Sequence, residues 1–73
     1  MADIEAKTEV TGTVWKIVTE VGQKVEAGDT IMIIESMKME IPVVTEEGGT
    51  ILQFLVDERT PVTEGQLVAL LSG

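Results

Sequence analysis

The sequence IMIIESMKMEIPVV, residues 31–44, lies in the middle of the 73-residue chain and decides how the chain is interpreted. One lysine, Lys38, stands between Met37 and Met39, and apolar segments of strand-forming residues flank it on both sides. The pattern predicts a β-hairpin with Lys38 at its tip and Met37 to Met39 as the candidate turn residues. Tight hairpin turns favour Asn-Gly, Asp-Gly or Gly-x, none of which is present here. Because functional sites are where such local rules are broken, the tip is a candidate functional site.

The two halves of the chain repeat each other when the sequence is shifted by 37 residues without a gap. The matched pairs include Gly12 with Gly49, Thr13 with Thr50, Val25 with Val62 and Gly28 with Gly65. Each half, 12–36 and 49–73, reads as Gly-Thr, an apolar strand, Val-x-x-Gly and a second apolar strand. We expect residues 1–73 to form one domain built from these two units.

Short runs rich in Val, Ile and Thr, separated by Gly and polar residues, predict strands throughout and almost no helix. The predicted strands are Ile4–Lys7, Thr13–Glu20, Thr30–Ser36, Met39–Thr45, Thr50–Val56 and Gln66–Leu71, with short extended pieces at Lys24–Glu26 and Pro61–Thr63. We expect Gly28 and Gly65 to adopt positive φ in turns. A pair of similar all-β units suggests two packed antiparallel sheets related by a pseudo-twofold axis. That symmetry would place Ser36 and Gly73 at opposite ends of the molecule.

Composition excludes several classes of function. The chain has no Cys and no His, which removes disulfides, thiolate and imidazole metal sites, and His-dependent catalytic triads. A net charge of −8 and an aromatic content of 3% disfavour nucleic acid and anionic membranes as partners. The acidic segment Met1–Glu5 lacks the apolar stretch of a signal peptide, and with no cysteine either we expect a cytoplasmic protein. We also expect it to be a monomer in isolation.

The motif Glu35-Ser36-Met37-Lys38-Met39, set midway in the repeat, resembles the attachment motif of the biotinyl/lipoyl attachment domain family. Nearly the whole chain shares the resemblance, and Met37 to Pro42 is most similar to small biotin carriers. The resemblance implies a flattened antiparallel barrel-sandwich of two four-stranded sheets. It also implies that Lys38 carries covalent biotin and that Glu35, Ser36, Met37 and Met39 form the recognition motif. The stretch Thr8–Gly12 departs from the family pattern, keeping only its glycine.

By this resemblance the protein is a non-catalytic carrier of a biotin-dependent carboxylase such as acetyl-CoA carboxylase. Its implied partners are a biotin protein ligase, a biotin carboxylase and a carboxyltransferase. Lys38 has the carboxylates Glu35 and Glu40 as near neighbours in sequence, whereas a nucleophilic lysine is activated by apolar or cationic surroundings. A lipoate carrier is the first alternative, although methionines on both sides of the lysine favour biotin. An unmodified interaction module is the second.

Three further residues have structural predictions. Trp15 and Phe54 lie near equivalent points of the two units, and we expect both to pack in the core or against a sheet. Pro42 lies within a predicted strand and indicates an edge position or a bulge.

Overall fold

Eight β-strands make up the regular structure of residues 3–73, which are the residues that the computed structural model describes. The strands are β1 (Asp3–Lys7), β2 (Gly12–Ile17), β3 (Lys24–Val25), β4 (Thr30–Ser36), β5 (Met39–Val44), β6 (Gly49–Phe54), β7 (Pro61–Val62) and β8 (Leu67–Ser72). This described part contains no helix, as the sequence predicted. Accordingly, it has no helix long and apolar enough to cross a membrane.

The strands form two four-stranded antiparallel sheets, in the orders β1-β8-β6-β3 and β5-β4-β2-β7. A shift of 37 residues converts one order into the other, because β1 corresponds to β5, β8 to β4, β6 to β2 and β3 to β7. Each sheet therefore takes strands from both halves of the chain, and neither half forms a sheet of its own. The predicted fold class, two four-stranded sheets with pseudo-twofold symmetry, is confirmed.

The core lies between the two sheets and is almost entirely aliphatic. Alternate residues of the strands point inward, as a half-buried sheet requires. Large side chains such as Ile31, Ile34 and Leu71 are fully buried, and each contributes about 1.5–3 kcal/mol of hydrophobic stabilisation. The other buried apolar residues are Ala6, Val14, Val25, Met32, Val43, Ile51, Val56, Val62, Val68 and Ala69.

The pseudo-twofold symmetry extends to individual hydrogen bonds. The Gly28 amide donates to the Thr45 carbonyl over 2.7 Å, and the Gly65 amide donates to the Thr8 carbonyl over 2.8 Å. Both glycines have positive φ, 90° and 85°, as the sequence predicted. The Thr8 and Thr45 hydroxyls also bond equivalent carbonyls two residues further along the chain. The repeat is thus a repeat of backbone geometry as well as of apolar residues.

The two predicted ends of the molecule are indeed separate. One concave surface is lined by Ala27, Gly48 and Gly73, close to the start of β4 at Thr30. From there β4 runs for seven residues to Ser36, a distance of about 20 Å. Ser36 and the hairpin turn that follows it therefore lie at the end of the sheets opposite to Gly73.

Several local predictions need correction. Strand β2 ends at Ile17 instead of Glu20, and β6 ends at Phe54 instead of Val56. Trp15 was expected to pack against the core or a sheet, but 47% of it is exposed. It lies at a β-bulge in the pairing with β4, between Val14 and Lys16, and bulges redirect side chains.

The other two single-residue predictions hold. Phe54 packs, partly buried, against the core cluster. Pro42 lies in β5, the outermost strand of its sheet, where the backbone N–H that proline lacks is least needed.

Candidate functional site

Strands β4 and β5 pair closely enough that Met37 and Lys38 alone form the turn between them. Ser36 lies opposite Met39 in the register, so Met39 is the first residue of β5 and not part of the turn. Met37 has φ of 52° and Lys38 has φ of 67°. Positive φ at both central residues is the geometry of a type I′ turn, which matches the twist of the strands. The predicted hairpin tip is therefore present, one residue shorter than the sequence suggested.

This turn carries conformational strain at both positions. A left-handed backbone costs a residue with a side chain about 1–2 kcal/mol, and neither Met nor Lys has the short polar group that eases it for Asn. Two strained residues in one turn persist only where the surrounding strands hold them in place. Strands β4 and β5 provide that support, because five consecutive residue pairs, from Met32 with Val43 to Ser36 with Met39, are in one register.

The surface around Lys38 is open. Lys38 is exposed, and the ion pair seen within residues 3–73 joins Lys7 to Glu5, so the Lys38 amine takes part in none there. Met37 is 91% exposed and Met39 is 59% exposed. Lys38 is thus accessible to solvent and has an exposed methionine on either side.

Two carboxylates lie in the residue pair next to the one that closes the turn. Glu35 and Glu40 are direct partners in the β4–β5 register, and both are exposed. Like charges directly opposite each other on antiparallel strands destabilise the pairing. The tip therefore combines a like-charge pair with a strained turn, and neither feature contributes to stability.

A hydrogen-bonded contact fixes the base of the tip, and the sequence did not predict it. The Ser36 hydroxyl donates to the Thr11 carbonyl over 2.8 Å, and the Glu64 amide donates to the Thr11 hydroxyl over 3.0 Å. Thr11 thus joins β4 to the loops before β2 and before β8. The repeat places Gly48 and Gly73 at the positions of Thr11 and Ser36, so the other end has no side chains to form this contact. The presence of Thr11 and Ser36 in one half, where the other half has glycines, is the feature of the sequence that could have revealed this contact.

Gly12 brings β2 close to the tip. A Cβ atom at this position would fall against the carbonyl oxygen of Glu35 and lie 3.0 Å from Cγ2 of Ile34. Glycine therefore allows an approach between β2 and β4 that a side chain would block. This approach positions the residue that precedes Ser36.

Lys38 lines neither the groove between β1 and β5 nor the concave surface near Gly73. The groove between β1 and β5 has a volume of about 460 Å³ and does not include the lysine. No group of three or more acidic side chains in residues 3–73 is arranged to hold a metal ion. The geometry presents a primary amine outward at a defined place, in the turn between β4 and β5.

Comparison with known proteins gives the same family at the level of sequence and of fold. A family model described as "Biotin-requiring enzyme" matches residues 4–71. The biotin/lipoyl attachment protein of Bacillus subtilis is 36% identical over 64 residues, which cover 88% of each chain. The urea carboxylase of Kluyveromyces lactis superposes with a TM-score of 0.93 at 38% identity, covering 99% of this chain and 6% of that one.

A lipoyl domain also matches. The lipoyl domain of the 2-oxoglutarate dehydrogenase complex of Azotobacter vinelandii superposes with a TM-score of 0.77 at 26% identity, over 96% of each chain. The chain therefore corresponds to nearly all of the small relatives and to a short segment of the carboxylase. Its sheets, its repeat and these matches together show that it belongs to the biotinyl/lipoyl attachment domain family.

Proposed function

We propose that this protein is a biotin carboxyl carrier that is biotinylated on Lys38. The observation that carries the proposal is the position of Lys38, exposed in a strained two-residue turn at the far end of a rigid β-scaffold. Strained backbone without a stabilising contact of its own suggests a functional constraint on the residues. We propose Glu35, Ser36, Met37 and Met39 as the surface that the modifying enzyme recognises.

Attachment requires an activated acyl donor from outside the chain. Lys38 would hold biotin through an amide bond between its amine and the biotin carboxyl carbon. A biotin protein ligase would supply that carbon in activated form with AMP as leaving group, so that a C–O bond would break as the C–N bond formed and the amine would lose a proton. Biotin fits the site because its attachment needs an accessible primary amine, and Lys38 is exposed in the turn between β4 and β5, whereas the exposed Lys24 lies in a strand. The ligase would supply the activation, since Lys38 is exposed and its near charged neighbours in sequence are the carboxylates Glu35 and Glu40.

The attached group would supply a ureido nitrogen that accepts and releases a carboxyl group. This chain's part is to hold its attachment point in a fixed place, so that the arm reaches a biotin carboxylase and a carboxyltransferase in turn. Tethering raises the effective concentration at each active site. The chain therefore contributes position, and the partner subunits contribute catalysis.

Two observations favour biotin over lipoate. Methionines flank the lysine on both sides, as in the biotin carriers that the motif resembles. The chain is also more similar to the urea carboxylase structure than to the lipoyl domain structure. Lipoate on Lys38, as an acyl-carrying arm, is the second candidate, and it is favoured by the relative whose name includes both groups.

The test is the intact mass of the chain after incubation with a biotin protein ligase, biotin and ATP. We expect one biotinyl increment on the native chain and none on Lys38→Arg, because a guanidinium does not form this amide. Lys24→Arg is the matched control, because Lys24 is an exposed strand lysine outside the tip, and it should be modified like the native chain.

The other outcomes separate the alternatives. An increment on Lys38→Arg would contradict the assignment of the residue. If the native chain gains no increment from the biotin ligase but gains one from a lipoate ligase with lipoate and ATP, the lipoate reading replaces the biotin reading. No increment in either reaction would leave an unmodified interaction module.

A further inference from the structure

The three methionines within residues 3–73 occupy two contrasting environments. Met37 and Met39 are 91% and 59% exposed, whereas Met32, five residues before Met37, is completely buried in the core. A thioether reacts with a dissolved oxidant only as far as the oxidant reaches the sulfur. The two methionines beside Lys38 should therefore react readily, and Met32 should be protected.

The two exposed methionines also lie outside the core that methionine usually fills. Met37 occupies a left-handed turn position, and Met39 is a half-exposed residue at the start of β5. Neither belongs to the hydrophobic core cluster, and so neither is needed to hold the sheets together. Oxidation at these two residues should consequently leave the fold intact.

Oxidation changes the chemical character of this surface. A sulfoxide is polar and chiral, whereas a thioether is apolar and adapts to its partner by rotation about three bonds. Where a partner packs apolar groups against Met37 and Met39, a buried S=O dipole would be left without a hydrogen-bond partner. The lysine amine itself is not altered by this reaction.

We infer that Met37 and Met39 are modification sites for peroxides, and that their sulfoxidation slows covalent loading of Lys38. In the step, the sulfur attacks one oxygen of hydrogen peroxide, an S–O bond forms and the O–O bond breaks. The departing hydroxide takes up the remaining proton and becomes water, so the sulfur is oxidised by two electrons and the peroxide is reduced. The second half of the inference rests on the proposed function, and the first half does not.

The first experiment follows the oxidation itself. The unmodified chain is treated with increasing hydrogen peroxide, and peptide mass mapping measures the oxygen gained at each methionine. Met37 and Met39 should oxidise at least about ten-fold faster than Met32, because of their difference in exposure. Circular dichroism of the oxidised chain should keep the native β signal. Oxidation of Met32 at the same rate as Met37 would overturn the inference.

The second experiment measures the initial rate of biotin incorporation into oxidised and reduced chains by the ligase. The oxidised chain should be about ten-fold slower, the cost of one unpaired polar group in a contact. Treatment with the two methionine sulfoxide reductases, one for each epimer, should restore the rate. Equal rates before and after oxidation, with Met37 and Met39 mapped as sulfoxides, would overturn the inference.

Matched variants assign the effect to these two residues. In the double variant Met37→Leu/Met39→Leu, peroxide treatment should no longer slow biotin incorporation. The ratio of its rates before and after peroxide should be close to one, even if its rate before treatment differs from that of the native chain. Met32→Leu should keep the full sensitivity of the native chain, and the reverse pattern would contradict the assignment. If the reduced native chain takes up neither biotin nor lipoate, the proposed function itself fails, and that failure is visible before any peroxide is added.

Discussion

Arg59 holds a left-handed backbone conformation at the position that Gly22 holds in the first half of the chain. Their φ angles are 71° and 90°, and the two residues are 37 positions apart. The Gly22 amide donates to the Ile51 carbonyl over 2.8 Å, and the Arg59 amide donates to the Val14 carbonyl over 2.6 Å. The fold thus requires the same backbone shape twice and fills it once with glycine and once with arginine.

This pair of positions gives the first prediction. Gly22→Ala should lower the free energy of unfolding by about 1 kcal/mol, because alanine is strained at this φ. Outside the adjacent residues no heavy atom lies within 4 Å of the added Cβ, so the loss comes from backbone conformation and not from a packing clash. Arg59→Gly should change stability by only about 0.5 kcal/mol, since relief of strain is offset by a more flexible unfolded chain. Urea denaturation measures both, and a neutral Gly22→Ala would contradict the strain argument.

The turn gives the second prediction. Met37→Asn should raise the free energy of unfolding by about 0.5–1 kcal/mol, because Asn adopts positive φ more easily than Met. The matched control is Met39→Asn, which lies in β5 and should lower stability by about 0.5 kcal/mol, because Asn is unfavourable in strands. The difference is measured from the urea concentrations at the midpoints of unfolding, provided that the free energy of unfolding depends equally steeply on urea in all the proteins. Equal effects of the two substitutions would show that the turn is not strained at Met37.

The bond between Ser36 and Thr11 gives the third prediction. Ser36→Ala should cost about 0.5–1 kcal/mol of stability and should slow biotin incorporation, because the tip loses its connection to the neighbouring loop. Ser36→Thr retains a hydroxyl and should recover most of both losses. Initial rates with the ligase over a range of carrier concentrations are the readout. Identical rates for the Ala and Thr variants would exclude a role for the hydroxyl in positioning the tip.

Two glycines at opposite ends of the molecule give the fourth prediction. A Cβ at Gly12 would meet the Glu35 carbonyl oxygen, and one at Gly49 would meet the carbonyl oxygen of Ser72. Gly12→Ala and Gly49→Ala should therefore destabilise the fold similarly, by about 1–3 kcal/mol each.

Their effects on loading should differ, because Gly12 lies beside the tip and Gly49 does not. Below both melting transitions, Gly12→Ala should reduce biotin incorporation and Gly49→Ala should leave it close to native. Each glycine is thus the control for the other. A similar loss of incorporation in both variants would mean that general destabilisation, and not the tip, limits the reaction.

The sequence predicts most of this fold because the repeat and the period of the apolar residues are local signals. The early end of β2 depends instead on a contact with a residue of another strand. The Ile31 carbonyl accepts from the Val18 amide, which continues the pairing with β4, and also from the Thr19 hydroxyl; the strand ends there although the apolar pattern continues. A threonine hydroxyl that takes up a backbone partner in this way is not distinguishable in sequence from one that faces solvent.

At the candidate site, too, the local features were predictable from the sequence and the long-range contacts were not. Lys38 and its flanking residues were recognisable from their order, and the turn was expected because two strands had to reverse. The positive φ of Met37 and Lys38 could not be read from residue types that rarely adopt it. Thr11 was missed as well, because its bonds to Ser36 and Glu64 connect residues 25 and 53 positions away.

The pairing of Asp3 with Ser72 has a consequence for anything joined to this unit. The first and last strands, β1 and β8, are neighbours in one sheet, so the chain enters and leaves side by side. Linkers fused to the two ends would emerge together, about 20 Å of strand away from the lysine turn. A fusion partner or a surface attached there would leave the lysine turn at the opposite end uncovered.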